Sequence, residues 1–312
     1  MGVNIKNLIQ SRTITLSALS GKVIGIDGHN VLYQFLSRIR RGKTGEPLRD
    51  SRGQVTSHLS GLFYRTSNLV QAGIKPLFVW DGVPPKLKEP TLVYRKKIRA
   101  QAKKKWAKAV ADGKRAMVYA QAASKLTPSM VQDAIQLLDY MGIPSVQAPS
   151  EGEAQLAVMA LENDIWASAS QDWDSLLFNS SRLIRNLSIS GRRKLPRKRV
   201  YVEVKPEIVE LATVLNSLKI TREQLIIIGI LIGTDYNPGV KGIGPKTALR
   251  LVKKHQTLDN ILAHVKWTAN VNAHEVLHFF LNPPITRNYE LKWTEPNIEK
   301  LVEFMVLDHD FS

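Results

Sequence analysis

Three short apolar runs along the chain lead into acidic residues, and each has the length and composition of a buried strand. Stretches with apolar positions at three- and four-residue spacing separate these runs and predict amphipathic helices, one of them beginning near Val31. Strands that alternate with helices predict an α/β fold with a mostly parallel central sheet flanked by helices. The strand runs lie at residues 21–30, 74–85 and 164–170, and the other helical stretches at 56–73, 127–142 and 150–163.

The last part of the sequence has a different pattern. From about residue 222 it is helical to the end of the chain, and no long linker or internal repeat divides the sequence. We therefore predict a single domain over residues 1–312, in which the helical part packs on the α/β core.

Acidic residues gather where the predicted strands end. In a parallel sheet the carboxyl ends of the strands meet at one edge, which is where ligands bind. Each acidic pair also has a structural interpretation: Ser150 and Glu153 fit a helix capping box, and Asp172 with Asp174 could shape a turn. The number of acids favours a shared site instead. The seven candidates are Asp27, Asp81, Glu151, Glu153, Asp172, Asp174 and Asp235.

So many carboxylates in one cleft require compensation. Two charges about 5 Å apart repel by about 3 kcal/mol at an effective dielectric constant near 20. Bound cations or raised pKa values relieve this repulsion. An all-oxygen ligand set suits Mg²⁺ or Mn²⁺ rather than zinc, and a pair of such ions is a common device for phosphodiester hydrolysis. The sequence therefore predicts a two-metal site for that reaction.

The net charge favours a polyanionic partner. The 312 residues include 44 Lys and Arg against 27 Asp and Glu, a net charge of +17, which suits nucleic acid or an anionic membrane surface. No apolar run reaches the roughly 18 residues that a membrane span needs, so nucleic acid is favoured. The sequence has no cysteine, which excludes disulfides and thiolate-bound zinc. We expect an intracellular monomer, cytoplasmic in an archaeon or nuclear in a eukaryote.

Residues 82–130 carry much of this positive charge, with 13 Lys or Arg against two acids. A solvated charged helix is the simpler interpretation, but such helices usually mix both signs. Charge of one sign directly after Asp81 favours a surface that contacts DNA phosphates. A second basic run at residues 191–204 includes Arg192 and Arg193. It could be a hairpin on duplex DNA or an exposed edge protected by its charge.

A Gly-rich turn joins two predicted helices in the last third of the chain. The first is the apolar helix 222–232, and the second begins at Pro245, a residue type favoured in the first turn. This helix-hairpin-helix pattern over residues 222–255 is typical of sites where N–H groups of a turn bind phosphate without reading sequence. A plain Gly-rich turn is the alternative. The candidate DNA contacts are Gly242, Gly244 and Lys246.

Motifs spread over nearly the whole chain resemble the flap endonucleases, a family of structure-specific 5′ nucleases, and most closely its archaeal members. They include GKVIGIDGHNVLYQFL, FVWDGVPPKLK, LLDYMGIPSVQAPSEGEAQLA, ASQDWDSLLF and LIGTDYNPGVKGIGPKTAL. The resemblance implies a PIN-like nuclease core, with residues 82–130 as a helical arch for a free 5′ end. It also implies cleavage of 5′ flaps, 5′–3′ exonuclease activity, and a role in lagging-strand DNA replication and repair.

The resemblance further implies roles for individual residues. The seven acids would hold two Mg²⁺ ions, which Mn²⁺ could replace, and Lys88 and Arg95 would reach the scissile phosphate. Tyr33 would stack on the reacting nucleotide, although a half-buried core tyrosine fits the sequence equally well. Thr56 lies in the region that would hold a one-nucleotide 3′ flap. The turn at residues 239–246 would hold a K⁺ ion.

Some positions depart from the family pattern. Gly152 replaces an alanine between the two glutamates, and Asn179 replaces a glycine. Pro90 fits best as a first helical residue, which leaves Lys88 in the preceding turn. The sliding clamp is a partner of the family, but its binding motif is absent from this chain.

These features together predict a metal-dependent enzyme that hydrolyses a phosphodiester at a junction between duplex DNA and a 5′ single strand. Recognition would depend on backbone and shape, because no base-reading motif is present. The alternatives are a 5′ exonuclease or junction resolvase of the same superfamily, a ribonuclease, and a non-catalytic DNA-binding protein on the same fold. The seven intact acids disfavour the last of these.

Overall fold

The fold is built around a seven-stranded mixed sheet. A computed structural model describes residues 2–189, 191–194 and 201–312, with the backbone alone for 189, 192–194, 201 and 202. The strands in these residues are β1 (Arg12–Thr13), β2 (Val23–Asp27), β3 (Arg40–Arg41), β4 (Glu46–Pro47), β5 (Lys75–Trp80), β6 (Ser145–Gln147), β7 (Ala167–Ala169), β8 (Arg182–Arg185), β9 (Gly191–Lys194), β10 (Tyr201–Val204) and β11 (Glu207–Glu210).

The sheet is mostly parallel, as predicted. Its strand order is β1-β11-β8-β7-β2-β5-β6, and the five strands from β8 to β6 run parallel to one another. The strands β11 and β1 extend the sheet antiparallel beyond β8. These two strands were not predicted, because β1 has only two residues and neither shows a long apolar run. Two small hairpins, β3–β4 and β9–β10, lie outside the main sheet.

Helices surround the sheet. In the described residues they are α1 (Gly28–Arg38), α2 (Ser57–Gln71), α3 (Glu89–Ala111), α4 (Met117–Ala122), α5 (Pro128–Tyr140), α6 (Gly152–Leu161), α7 (Asp174–Leu177), α8 (Leu211–Leu218), α9 (Arg222–Ile232), α10 (Pro245–His255), α11 (Leu258–Leu262), α12 (Ala273–Leu281) and α13 (Ile298–Val302). Short 3₁₀ helices span Lys6–Leu8, Ser17–Leu19, Lys86–Lys88 and Leu187–Ile189, and a π-helix spans Glu303–Asp308. None of the described helices has both the length and the apolar character to cross a membrane.

The parallel strands are buried on both faces. Successive side chains of a strand point to opposite sides, so Phe78 and Trp80 of β5 pack with α1, α2 and α5. Leu77 and Val79 of the same strand pack with α6 on the other side. A third apolar cluster joins α7, α9, α10 and α12. This double burial explains the continuous apolar runs of the sequence.

The helix-hairpin-helix segment has the bounds that the sequence predicted. The helix α9 begins with a capping box, in which Gln224 Oε1 accepts from Thr221 N at 3.0 Å and Thr221 Oγ1 accepts from Gln224 N at 3.2 Å. Seven consecutive residues from Leu225 to Leu231 are buried. The helix α10 then begins at Pro245 and packs against α9.

Some boundaries differ from the prediction. The helix α1 begins at Gly28 rather than near Val31, because Asp27 caps it by accepting a hydrogen bond from Asn30 N at 2.9 Å. Residues 283–297 form neither helix nor strand, although a helical pattern to the end was expected. There Trp293 donates a hydrogen bond to Pro76 O at 2.8 Å, which holds the extended segment on the core.

Asn179 adopts a backbone conformation that suits the glycine expected at this position. It follows α7 with φ of +79°, the left-handed region. Glycine adopts this conformation freely and asparagine tolerates it, so the departure at this position preserves the local backbone.

Candidate active site

The seven acidic candidates lie at the carboxyl edge of the parallel strands. Each of them lies at or within three residues of the end of a strand or of a helix. Asp27 ends β2, Asp81 follows β5, Glu151 caps α6, Glu153 lies in its first turn, Asp172 follows β7, Asp174 begins α7 and Asp235 follows α9. Segments that are far apart in sequence therefore deliver carboxylates to one region.

Two buried serines connect several of these carboxylates. The Oε1 atom of Glu153 accepts hydrogen bonds from Ser170 Oγ and Ser175 Oγ, each at 2.8 Å. The same Ser170 Oγ lies 3.2 Å from Asp27 Oδ2, and it accepts from Asp172 N at 3.2 Å. A single hydroxyl thus contacts the side chains of two acids and the backbone of a third.

Backbone N–H groups hold other carboxylates of the site. Val3 N donates to Asp174 Oδ1 at 2.6 Å, and Gly152 N donates to Asp81 Oδ1 at 2.7 Å. A Cβ at position 152 would lie 2.9 Å from that same oxygen. The glycine that departs from the family pattern therefore suits the close approach of Asp81 to the start of α6.

Burial and mutual repulsion raise the pKa values of several of these acids. Burial raises the pKa of Asp27 from 3.8 to about 8, and the charges of Asp81 and Asp172 add to this effect. Burial likewise raises the pKa of Asp174 to about 7, with further contributions from Asp172 and Asp235. The pKa of Glu153 is also well above its usual value, chiefly because of burial and then because of Asp174. The acids therefore form one electrostatically coupled group.

Two cations at the start of α3 neutralise part of this group. The Lys88 ammonium lies 2.6 and 2.9 Å from the two carboxylate oxygens of Glu151, and 3.7 Å from Asp235 Oδ2. The Arg95 guanidinium donates to both carboxylate oxygens of Asp235, at 2.6 and 2.8 Å. Burial lowers the pKa of Lys88, but the attraction of these acids outweighs it, so the pKa is raised. These ion pairs thus join the basic helix α3 to the acidic site.

The start of α3 explains why both cations reach the acids. The helix begins at Glu89, so Pro90 is its second residue rather than the first, as had been expected. Lys88 ends the preceding 3₁₀ turn, which agrees with the prediction for that residue. Arg95 and Arg99 lie seven and eleven residues beyond Lys88, spacings that place them on one side of a helix.

Tyr33 contacts the same helix. Its hydroxyl accepts a hydrogen bond from Arg99 Nη1 at 2.9 Å, and the residue is half-buried. Tyr33 belongs to none of the three apolar clusters of the described core. This position at the border of the site favours a functional interpretation over that of a core tyrosine.

The donor set fits hard divalent cations. In the described part of the chain no three acidic or histidine side chains are grouped closely enough to hold a metal ion, and Lys88 and Arg95 each form an ion pair with one of the acids. The available donors are carboxylate oxygens, several with raised pKa values, which is the situation that a bound divalent ion relieves. Mg²⁺ and Mn²⁺ prefer such ligands, and the residues present therefore fit either ion.

The candidate DNA contacts differ in exposure. Gly242, with φ of +84°, and Gly244 are exposed at the turn before α10, and Lys246 is exposed in the first turn of that helix. Thr56 precedes the first residue of α2 and is buried, so it offers little surface to DNA. Residues 191–204 do contain a hairpin, in which β9 pairs antiparallel with β10. The predicted contacts Arg192 and Arg193 lie in β9, but their side chains are outside the described atoms.

Several residues of the site escaped the sequence argument. Ser170 and Ser175 flank the acidic pair in ASQDWDS, and hydroxyls so close to carboxylates were a usable signal. Asn30 donates to Asp172 Oδ2 at 3.0 Å, and His29 Nδ1 accepts from Asp81 N at 3.1 Å. Arg99 was one of many basic residues in its helix. For Asn30, His29 and Arg99 only the folded arrangement reveals the contact.

Comparison with known proteins agrees with this geometry. Residues 1–102 match the XPG N-terminal domain, and residues 142–235 match the XPG I-region. Together with the acidic edge of the sheet, these regions define a nuclease.

Relatives that match this chain over its whole length identify the family of nucleases to which it belongs. The chain is 55% identical to flap endonuclease 1 of Staphylothermus marinus and 54% identical to that of Pyrococcus abyssi, over 100% of this chain and 91% of each relative. The solved flap endonuclease-1 from Methanococcus jannaschii is 38% identical, with a TM-score of 0.77 over 100% of this chain and 94% of that one. The chain belongs to the flap endonuclease family.

Proposed function

We propose that this protein hydrolyses a phosphodiester at the junction of duplex DNA and a 5′ single-stranded flap, with the aid of two Mg²⁺ ions. The observation that carries the proposal is the group of seven carboxylates, four of them buried and three half-buried, that lies beside a basic helix. The relatives named flap endonuclease 1 and the solved Rad2 catalytic core in complex with DNA substrate, which is 24% identical and shares the fold, support a DNA substrate. We place the activity in DNA replication and repair, with 5′–3′ exonuclease activity as a second outcome of the same site.

The carboxylates would hold the ions. Bound in pairs, such ions lower the pKa of a water molecule and balance the charge on the leaving oxygen. Ser170 and Ser175 hold Glu153 through its Oε1 atom, and Gly152 N holds Asp81, so these carboxylates are oriented before any ligand arrives. Preorientation of this kind reduces the cost of reaching the reactive arrangement.

The cations of the α3 segment would contact the substrate. Lys88 and Arg95 lie between the acids and the remainder of the basic helix, which is where a scissile phosphate has to sit. They would complement the negative charge that develops there. Tyr33, held by Arg99, would stack on the unpaired nucleotide.

The turn before α10 would contact the duplex. Gly242, Gly244 and Lys246 are exposed, and Gly244 caps the helix, so N–H groups at this helix N-terminus can face phosphate oxygens. We include a K⁺ ion at this turn in the proposal. Recognition would depend on the DNA backbone and on the shape of the junction.

Cleavage-site mapping on an end-labelled 5′-flap DNA, with Mg²⁺ and with EDTA, tests the proposal. We expect cleavage at the junction, only with Mg²⁺, and no cleavage by the variant Asp174→Ala, which should still bind the flap within a few-fold. The exposed acid Glu290, changed to alanine, is the matched control and should leave the rate unchanged. Turnover by Asp174→Ala at saturating Mg²⁺ would refute the assignment.

Substrate choice separates the alternatives. The same wild-type preparation is tested on a 5′ flap, a nicked duplex, a four-way junction and an all-RNA flap. We expect the 5′ DNA flap to have the highest kcat/KM. Preference for the nicked duplex would indicate an exonuclease, preference for the four-way junction a resolvase, and preference for the RNA flap a ribonuclease.

A further inference from the structure

A row of hydrogen bonds leads from Asp172 to the base of the β9–β10 hairpin. Asn30 Nδ2 donates to Asp172 Oδ2 at 3.0 Å, and Gln34 Nε2 donates to Asn30 Oδ1 at 2.5 Å. Ser188 Oγ then donates to Gln34 Oε1 at 3.2 Å. We call these three residues, Asn30, Gln34 and Ser188, the amide relay.

The carboxylate fixes the direction of every bond in the amide relay. An ionised carboxylate can only accept, so Asn30 has to present its NH₂ group to Asp172. Its carbonyl oxygen then faces Gln34, which has to donate in turn. The remaining carbonyl oxygen of Gln34 accepts from the Ser188 hydroxyl. Reversal of any one amide would place two acceptors, or two donors, against each other.

Secondary structure holds the members of the relay in place. Asn30 and Gln34 lie four residues apart on α1, and therefore on one face of that helix. Asp27 caps the same helix, so one rigid element carries both a candidate metal ligand and the relay. Ser188 belongs to the 3₁₀ turn Leu187–Ile189, just before β9. All three bonds are partly shielded from solvent.

Arg185 holds the loop that carries Asp172 through the two residues next to Asp172 in sequence. The Arg185 guanidinium donates to Gln171 O at 3.0 and 3.3 Å and lies 4.0 Å from the ring centre of Trp173. The backbone on both sides of Asp172 is therefore held. The orientation of its carboxylate depends on Asn30 at Oδ2 and on a longer bond of 3.3 Å from Gly2 N at Oδ1.

We propose that Asn30 is a positioning residue for Asp172, and that Gln34 and Ser188 maintain it in the donating orientation. This inference rests on the proposed function, in which Asp172 is one of the metal ligands. Outer hydrogen-bond partners of metal ligands typically change metal affinity or activity by about 10- to 100-fold when they are removed. The amide relay orients the Asp172 carboxylate for metal binding. It also links that orientation to Ser188, which lies just before β9.

Divalent-ion affinity of the DNA-free protein provides the test. Ca²⁺ binding is measured by isothermal titration calorimetry at pH 8 for wild type, Asn30→Ala and Gln34→Glu, and Tm is measured in EDTA. Gln34→Glu is nearly isosteric, but it cannot donate to Asn30. We expect both variants to weaken Ca²⁺ binding about tenfold, with Tm in EDTA close to that of the wild type. Gln132→Glu, an exposed change on α5, controls for the added charge.

The variant Gln34→Glu distinguishes the effect of a lost hydrogen bond to Asn30 from the effect of an added negative charge. An added negative charge near the carboxylates would by itself attract the cation and tighten binding. The relay predicts weaker binding instead. Ser188→Ala should also weaken Ca²⁺ binding, and Ser188→Thr, which keeps the hydroxyl, should restore it. This pair provides a second test if Asn30→Ala fails to fold.

Two results would overturn the inference in different ways. Equal or tighter Ca²⁺ binding by Gln34→Glu, with equal binding by Ser188→Ala and Ser188→Thr, would exclude the relay and leave the proposed function intact. Failure of the wild type to bind Ca²⁺ at any site sensitive to Asp174→Asn would overturn the proposed function itself, and the inference with it.

Discussion

Replacing Asp174 with asparagine should stabilise the metal-free protein while it destroys the proposed activity. Asp174 is buried, and its pKa is raised from 3.8 to about 7, first by burial and then by Asp172 and Asp235. Asparagine has nearly the same shape and can still accept the hydrogen bond from Val3 N. It removes a charge that the fold tolerates poorly in the absence of cations.

The size and pH dependence of the effect follow from proton linkage. The folded state binds this proton more tightly than the unfolded chain, so the stabilising contribution of the protonated acid is present below pH 3.8 and is lost as pH rises to about 7. A tenfold change in proton affinity is about 1.4 kcal/mol. The full penalty at pH 8 is therefore at most about 4 kcal/mol, and we expect Asn to recover about 1–4 kcal/mol because neighbouring acids share the proton.

Urea unfolding in EDTA at pH 4 and at pH 8 measures this effect. We expect Asp174→Asn to raise the free energy of unfolding at pH 8, and to differ little from the wild type at pH 4, where the wild-type acid is protonated. Mg²⁺ should then stabilise the wild type more than the variant, because ions bind the folded carboxylates. Glu290→Gln, at an exposed acid, serves as the control and should show neither effect.

A specific result would refute this reasoning. If Asp174→Asn destabilises the protein at pH 8 in EDTA, or changes its stability equally at both pH values, the carboxylate is not under electrostatic strain. The idea that the acids require cations would then lose its energetic basis.

Four further variants, at three positions, test other parts of the proposal. Arg95→Ala should lower the single-turnover cleavage rate about 100-fold or more but change flap affinity little; an unchanged rate would remove Arg95 from the reaction. Tyr33→Phe loses the hydrogen bond from Arg99 but keeps the ring, so the rate should fall only a few-fold, and Tyr33→Ala should be much slower. Equal rates for the two Tyr33 variants would exclude stacking. Gly242→Ala, at φ of +84° with open space around a Cβ, should strain the turn by about 1–2 kcal/mol and weaken duplex binding in gel-shift assays; unchanged affinity would show that the turn does not contact DNA.

The sequence predicted the parts of the fold that depend on burial and chain order. Strand β5 is covered on both faces, so its apolar run was visible, and Asp81 directly after it had to lie at the carboxyl edge of the sheet. The same reasoning located Asp27 and Asp172. The bounds of α9 and the start of α10 were also predictable, since a capping box, an apolar run and Pro245 mark them.

Other features depend on three-dimensional contacts that leave no local pattern. The strand β1 has two residues and exists only because β11 pairs with it. The pairing of Arg95 with Asp235 joins residues 140 positions apart, and no spacing rule connects them. Asn30 is an ordinary residue in sequence, and its contact with Asp172 depends on side-chain direction after folding. Thr56 was expected at a DNA surface but is buried just before the first residue of α2.

The central claim is that folding gathers these carboxylates to hold a pair of divalent ions. Crystals soaked with Mn²⁺ and measured near the manganese absorption edge test it most directly. We predict two anomalous peaks about 3.5–4 Å apart, both bound to oxygens of the seven acids, and loss of at least one peak in Asp174→Asn. A fully active enzyme whose crystals show no Mn²⁺ peak among these acids, or show peaks only elsewhere on the protein, would contradict the account.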